Sequence, residues 1–190
     1  MVDDGSQDDS ARIAARYATR LIRRPARGGV AVARNEAIRA ARGAILACLD
    51  QDDHWETSTL RTHVHVLSMR SEAISVVWER VYVEPGCRTP SWVGRPELFA
   101  HPHPAFVPSG VAFAAETFRR VGPFDERFLH ASDLDWFARA RVAGVPVHVT
   151  PQVLLHRRIH EENDSRHARA RWEMVTVVHG AVARRRGDSS

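Results

Sequence analysis

The chain has 190 residues, 44% apolar and 26% charged, enough apolar material to bury one core, and this excludes a disordered chain. Its formal net charge is +4 with every cation an Arg, and acidic residues are interleaved throughout, so no basic stripe for nucleic acid is expected despite a pI near 10.0. Cys48 and Cys87 are too few for a disulfide framework or a zinc site, and no apolar run approaches the roughly 20 residues that cross a bilayer, so the expectation is a cytoplasmic protein, at most peripheral to a membrane.

From Ala11 to Ile22, the apolar residues Ile13, Tyr17, Leu21 and Ile22 recur at helical spacing, and Pro25 to Gly29 breaks the pattern. A second helix is expected from Val32 to Ala41, ending near Gly43. The apolar run AILACLD that follows has the character of a buried parallel strand. Thr59 to Met69 is expected as a helix, and Ala73 to Val83 as one or two strands. The stretch Glu84 to Pro108, rich in Pro, Gly and His, has no period and suits a long surface excursion over a site. Ala114 to Val121 is a short helix stopped by Gly122-Pro123, and Ser132 to Ala143 a longer one, with Ser132 and Asp135 at capping-box spacing. Val145 to Leu155 is expected as a strand interrupted at Pro151, and Ala168 to Ala183 as a terminal helix. With no repeat and no linker, residues 1–190 form one domain: a nucleotide- and metal-binding half to residue 56, an acceptor-side half to 165, and a C-terminal helix and tail.

The sharpest chemical signal is Asp50, Asp52 and Asp53, three carboxylates at the carboxyl end of an apolar strand, the edge where open α/β sheets bind ligands. Two like charges about 4 Å apart repel by roughly 4 kcal/mol at an effective dielectric of 20, so such a group is favourable when solvent or a cation screens it. Mg²⁺ or Mn²⁺ would do so, taking hard oxygen ligands and completing its shell with substrate phosphates. A solvated acidic loop is the plainer alternative.

Three segments in order, VDDGSQDDS at 2–10, GGVAVARNEAI at 28–38 and CLDQDDHW at 48–55, resemble family 2 glycosyltransferases. That resemblance implies an α/β fold of the GT-A type, a mostly parallel central sheet flanked by helices, and an inverting, metal-dependent transfer of sugar from a nucleotide-diphosphate donor. It places Asp3 and Asp4 at the nucleotide base, with Arg34, Asn35 and Asp50 on the donor, and Asp52 and Asp53 on the metal. PSGVAFAAETFRRVGPFDERF at 108–128 is similar to the family's acceptor-side element. Ser132-Asp133-Leu134-Asp135-Trp136 resembles the acidic segment whose second acid is the general base, which implies Asp133. Ser132 stands where the family has another acid. The two aspartates lie about 200° apart around a helix, so only one can face a substrate, and helix-end stabilisation is the alternative for both. Arg157 to Ser165 is similar to the family's R-x-H-x-x-N-x-S tail, implying Arg158 on the diphosphate and His160 on the metal.

The partners so implied are a nucleotide-sugar donor, a UDP-sugar before others, and a saccharide or lipid-linked acceptor. The family begins with a strand and helix before its VDDGS segment, so the chain is expected to be N-terminally truncated, by a misplaced start or a shortened gene product before the third account, a partner that supplies the missing part. The rival reading is a non-catalytic remnant that binds nucleotide or a partner. A phosphatase reading of the Asp-x-Asp segment is weak because His54 stands where that family has Thr or Val and its usual downstream Lys is absent, and a P-loop reading because its phosphate cradle needs Lys, of which the chain has none.

Overall fold

A computed structural model describes residues 1–87, 100–161, 163, 172–177 and 180. In chain order the elements are β1 (Val2–Asp3), α1 (Ser10–Tyr17), β2 (Ile22–Arg23), α2 (Val30–Ala40), β3 (Ile45–Ala47), β4 (Asp53–Trp55), α3 (Thr59–Met69), β5 (Ile74–Val83), β6 (His103–Pro104), β7 (Val111–Ala114), α4 (Ala115–Val121), α5 (Ser132–Val142) and β8 (Val147–Ile159). A 3₁₀ turn, Pro108–Gly110, leads into β7, and residues 172–177 are helical. Residues 88–99 of the expected surface excursion, most of the expected C-terminal helix and the Arg184-Arg185-Arg186 tail lie outside the described residues.

The expected α/β architecture is present, as a curled sheet flanked by helices, and its strands run in both directions. The main sheet has the order β3-β7-β5-β8-β4, with β6 also on β5, while β1 and β2 form a separate parallel pair. The longest pairing, β5 with β8, is parallel, and the pairings of β3 with β7, β5 with β7, β4 with β8 and β5 with β6 are antiparallel. The parallel setting expected for AILACLD therefore gives way to an antiparallel one beside β7. An apolar run signals burial and carries no direction.

In β5 the sequence accounts for the environment residue by residue. Ile74 to Val77, four apolar or small residues in a row, are all buried, as a strand covered on both faces requires. From Trp78 onward the buried positions alternate, Glu79 and Val81 in, Arg80 and Tyr82 out. The expected break at Pro151 is a shift of register between β5 and β8 next to Val77 and Trp78, and the strand continues to Ile159. Proline cannot donate to the ladder, and a bulge absorbs it.

α1 stops at Tyr17, five residues before the expected end of its helical spacing, because Ile22 joins β2 opposite Val2. α4 ends where expected, at Gly122 with φ +88°, a conformation that strains any residue with a Cβ. The main core lies between the sheet and helices α2, α4 and α5. At its centre Trp136, fully buried, packs against Phe113 at 4.6 Å and Phe124 at 5.7 Å between ring centres, and its indole N–H donates to Gly122 O at 2.9 Å. Asn35 of α2 closes this core at one end. Its amide donates to Phe124 O and Glu126 Oε1, each at 2.9 Å, and accepts from Phe124 N at 2.9 Å, with Asn35 itself 1% exposed. α3 packs on β5, β7 and β8, burying His63, whose Nδ1 lies 2.9 Å from Ser75 Oγ. No helix of the described residues is long and apolar enough to cross a membrane.

Two outcomes follow for stability. Burial holds His63 down at about 4, so protonation is disfavoured in the fold and the unfolded chain binds the proton first. Its contribution is intact above about pH 6.5 and is lost as pH falls towards 4, worth about 3 kcal/mol at most. Urea melts at pH 7 and pH 4.5 should show a steeper acid loss in the wild type than in His63→Gln. Asn35→Ala leaves the buried Phe124 N–H and C=O without partners and should cost about 3 kcal/mol, read as a lower urea midpoint at unchanged m.

Candidate functional site

The site is assembled where β3 ends and α5 begins. Beyond β3 the chain turns through Asp50, whose two carboxylate oxygens each accept from Arg34 Nη2 at 2.7 Å. Arg34 projects from α2, nearly covered, with its guanidinium carbon 5.9 Å from the Phe124 ring centre. Asp133, in the first turn of α5, feels the same guanidinium. Burial pushes its carboxyl above the usual range, Arg34 pulls it back, and Asp50 raises it further. One cation thus faces two of the expected site acids, drawn from positions 83 residues apart in the sequence.

Ser109, in the 3₁₀ turn before β7, organises the acidic loop from beneath. Its hydroxyl accepts from Asp50 N at 3.0 Å, and its carbonyl accepts from the Trp55 indole at 2.6 Å. Burial holds Asp53 up at about 6, the Ser109 hydroxyl lowers it, and the charges of Asp52 and Asp50 raise it. One Asp53 oxygen, Oδ1, is buried with no hydrogen-bond partner. Ser109 was within a segment singled out from the sequence, and no signal marked it: a serine between Pro and Gly has the look of an ordinary turn residue.

Asp52 turns the other way. His160 Nε2 lies 3.1 Å from Asp52 Oδ2, and Asn163 Nδ2 donates to the same oxygen at 2.9 Å. His160 N donates in turn to Asn163 Oδ1. Asp52 and His160 line a cleft of about 540 Å³ shared with Glu84 and Arg158, which pair at 3.4 Å. Among the described residues no three His, Cys, Asp or Glu side chains converge on one point, so the expected trio of Asp52, Asp53 and His160 is divided: Asp52 and His160 meet, and Asp53 does not join them.

The early acids build the adjoining wall. Asp3 is buried and accepts from Ser6 N at 3.0 Å and from Arg23 Nε at 3.4 Å; the Ser6 hydrogen bonds hold its carboxyl below the usual range. Asp4 accepts from Gly28 N at 2.9 Å and Gly29 N at 2.8 Å, ahead of α2, and pairs with Arg24 at 2.8 Å. A second cleft of about 320 Å³ lies between the turn after β1 and Arg23 to Pro25. Asn35, expected on the donor, is itself buried and directs its amide to Phe124 in the core and to Glu126 at its edge, because its helix position points inward.

At α5 the expected capping box is not formed. Ala131 is the N-cap residue, no side chain caps the helix from that position, and Ser132 Oγ is buried without a partner. Asp135 is buried and paired with Arg139 at 2.8 Å, one turn on, which leaves Asp133 as the acid on the site side.

Residues 1–128 match the family described as glycosyl transferase family 2. The uncharacterized protein y4gI of Sinorhizobium fredii is 34% identical over 81% of this chain, which spans 18% of that protein. Among solved structures, S. aureus TarS 1–349 in complex with UDP-GlcNAc superposes with a TM-score of 0.74 at 15% identity, covering 96% of this chain and 56% of that one. TarS 1–349 in complex with UDP gives 0.68 at 15% identity, covering 95% and 54%. At that identity the likeness concerns the fold, and the chain spans about half of the TarS fragment and under a fifth of y4gI. With a family match over more than half its length and a GT-A-type fold, the chain belongs to glycosyl transferase family 2.

Proposed function

We propose that the chain transfers a sugar, with inversion, from a nucleoside-diphosphate sugar to a hydroxyl of a saccharide or lipid-linked acceptor, using Mg²⁺ or Mn²⁺. The observation that carries this reading is Arg34, which ties the strand-end acid Asp50 and faces Asp133, so that a donor-side acid and the base-side acid share one cation. A UDP-sugar is the favoured donor, supported by fold relatives captured with UDP-GlcNAc and UDP.

In this reading Asp133 takes the proton of the acceptor hydroxyl while its oxygen bonds to the anomeric carbon. The bond from that carbon to the diphosphate breaks on the opposite face, and the leaving group keeps the electron pair. A carboxyl raised by burial is a stronger base than one in water, and Arg34 keeps it ionised enough to act. Asp52 and His160 fit a divalent cation as a two-donor edge, since diphosphate oxygens would supply the rest of its shell. Held there, a divalent cation would supply positive charge to offset that of the departing diphosphate. The buried Oδ1 of Asp53, lacking a partner, suits a neighbouring positive charge as well. Arg158, at the rim of the same cleft, can grip a phosphate in two-pronged geometry once it leaves Glu84.

Asp133→Asn should lower turnover of a UDP-sugar by ~10²–10⁴-fold while nucleotide binding persists. The assay is UDP release with Mn²⁺ over a panel of sugars and acceptors, with calorimetry for UDP; UDP binding without turnover in any wild-type reaction sinks the transferase reading. Asp52→Ala should weaken Mn²⁺-dependent UDP binding by ~10-fold or more, and leave the weak binding seen in EDTA unchanged. Equal loss in EDTA would place Asp52 outside the metal's reach.

A further inference from the structure

The approach to α5 has a debt of backbone donors that its own sequence does not settle. Leu129, His130 and Ala131 lead into the helix, Ala131 has no capping side chain, and Ser132 supplies none. Their three N–H groups converge on one distant carboxylate. Leu129 N donates to Glu173 Oε1 at 3.2 Å, His130 N to Oε2 at 2.7 Å and Ala131 N to Oε2 at 3.1 Å. Glu173 comes from the helical segment 172–177, more than forty residues on, and is 8% exposed. Burial raises its carboxyl, and the backbone donors of His130, Leu129 and Ala131 bring it below the usual glutamate range, so it is an anion at neutral pH.

The other end of the same loop is fixed by Asn35 at Phe124, and its middle is close to the donor side. Leu129 Cδ2 would lie 3.7 Å from a Cβ added to Gly29, the residue before α2 whose N–H binds Asp4. The loop 124–131 is therefore held between the β1–α2 wall and α5, and Glu173 sets where it hands the chain to the helix turn that bears Asp133. We infer that Glu173 is a positioning residue for Asp133: the C-terminal helical segment, through this one carboxylate, sets the first turn of α5 and with it the base. This rests on the reading of Asp133 as the base, and it assigns a catalytic consequence to a segment beyond residues 1–128, the family match.

The test uses the full chain with Glu173→Ala, which removes all acceptors, and Glu173→Gln, which keeps the shape and one acceptor oxygen. Amide hydrogen exchange is followed at residues 129–135 alongside kcat and donor KM. In Glu173→Ala the amides of 129–131 and the first turn of α5 should exchange ~10-fold faster or more, with smaller increases in Glu173→Gln. In both variants kcat should fall, by ~10-fold in Ala, with donor KM within about twofold of wild type. Should Glu173→Ala fail to fold, the graded change in Glu173→Gln decides. Unchanged exchange overturns the inference whatever the activity. Faster exchange at 129–131 with unchanged kcat, or with the loss entirely in KM, overturns the link to Asp133. If the wild type has no turnover, the transferase reading fails while exchange at 132–135 still shows whether Glu173 holds the α5 turn.

Discussion

A guanidinium that is almost covered cannot stand alone, and the architecture around Arg34 is arranged to answer it. Asp50 supplies both carboxylate oxygens, Asp133 adds a second negative field from α5, and the Phe124 ring lies within 6 Å of its charge. Removing one partner of such a group leaves buried charge uncompensated, which costs more than the pair is worth when intact. The end of β3, the middle of α2 and the start of α5 are thereby bound to keep one mutual placement. The site acids are near one another because a single cation lies among them, and their mutual repulsion is offset by it.

Around that centre each expected residue has been sorted by what its surroundings demand. Asp52 remains beside His160 at the lip of the larger cleft, whereas burial lifts Asp53 to about 6, so that it keeps its proton more readily than an ordinary aspartate. Asp4 feeds the free backbone donors before α2, and Asp3 builds the turn after β1. Acidic residues that look equivalent in sequence thus have different tasks: some face the cleft, and some make the walls stand.

Much of this was legible in the chain. The continuous apolar run in β5, the Gly122-Pro123 stop and the Ser132 helix gave correct elements, because burial and backbone restriction are local properties. The order of three motifs indicated the family and its fold. Strand direction was not legible in β3, since apolarity is the same either way. Nor were the tasks of Asn35 and Glu173: each answers backbone groups more than forty residues distant, and no spacing within a segment records that. The capping box at Ser132 and Asp135 failed because the helix begins one residue earlier than that spacing needs: Ala131 is the N-cap, Asp135 N donates to Ala131 O, and the Asp135 carboxylate pairs with Arg139.

The irregularity of β8 beside Pro151 has a consequence for how this chain can vary. Val77 pairs with Thr150 and Trp78 with Val153, two extra residues of β8 at Pro151, and Glu79 pairs with Leu155, one more at Leu154, so β8 gains three residues on β5 across this stretch. Three is odd, and in a strand an odd offset exchanges the two faces. The far half of β8 presents Arg157 to Glu79 and delivers His160 towards Asp52 only because of this inversion of parity. Loss of one residue near Pro151 would turn both away together, whereas loss of two would preserve the alternation, so length in this strand should be inherited in steps of two.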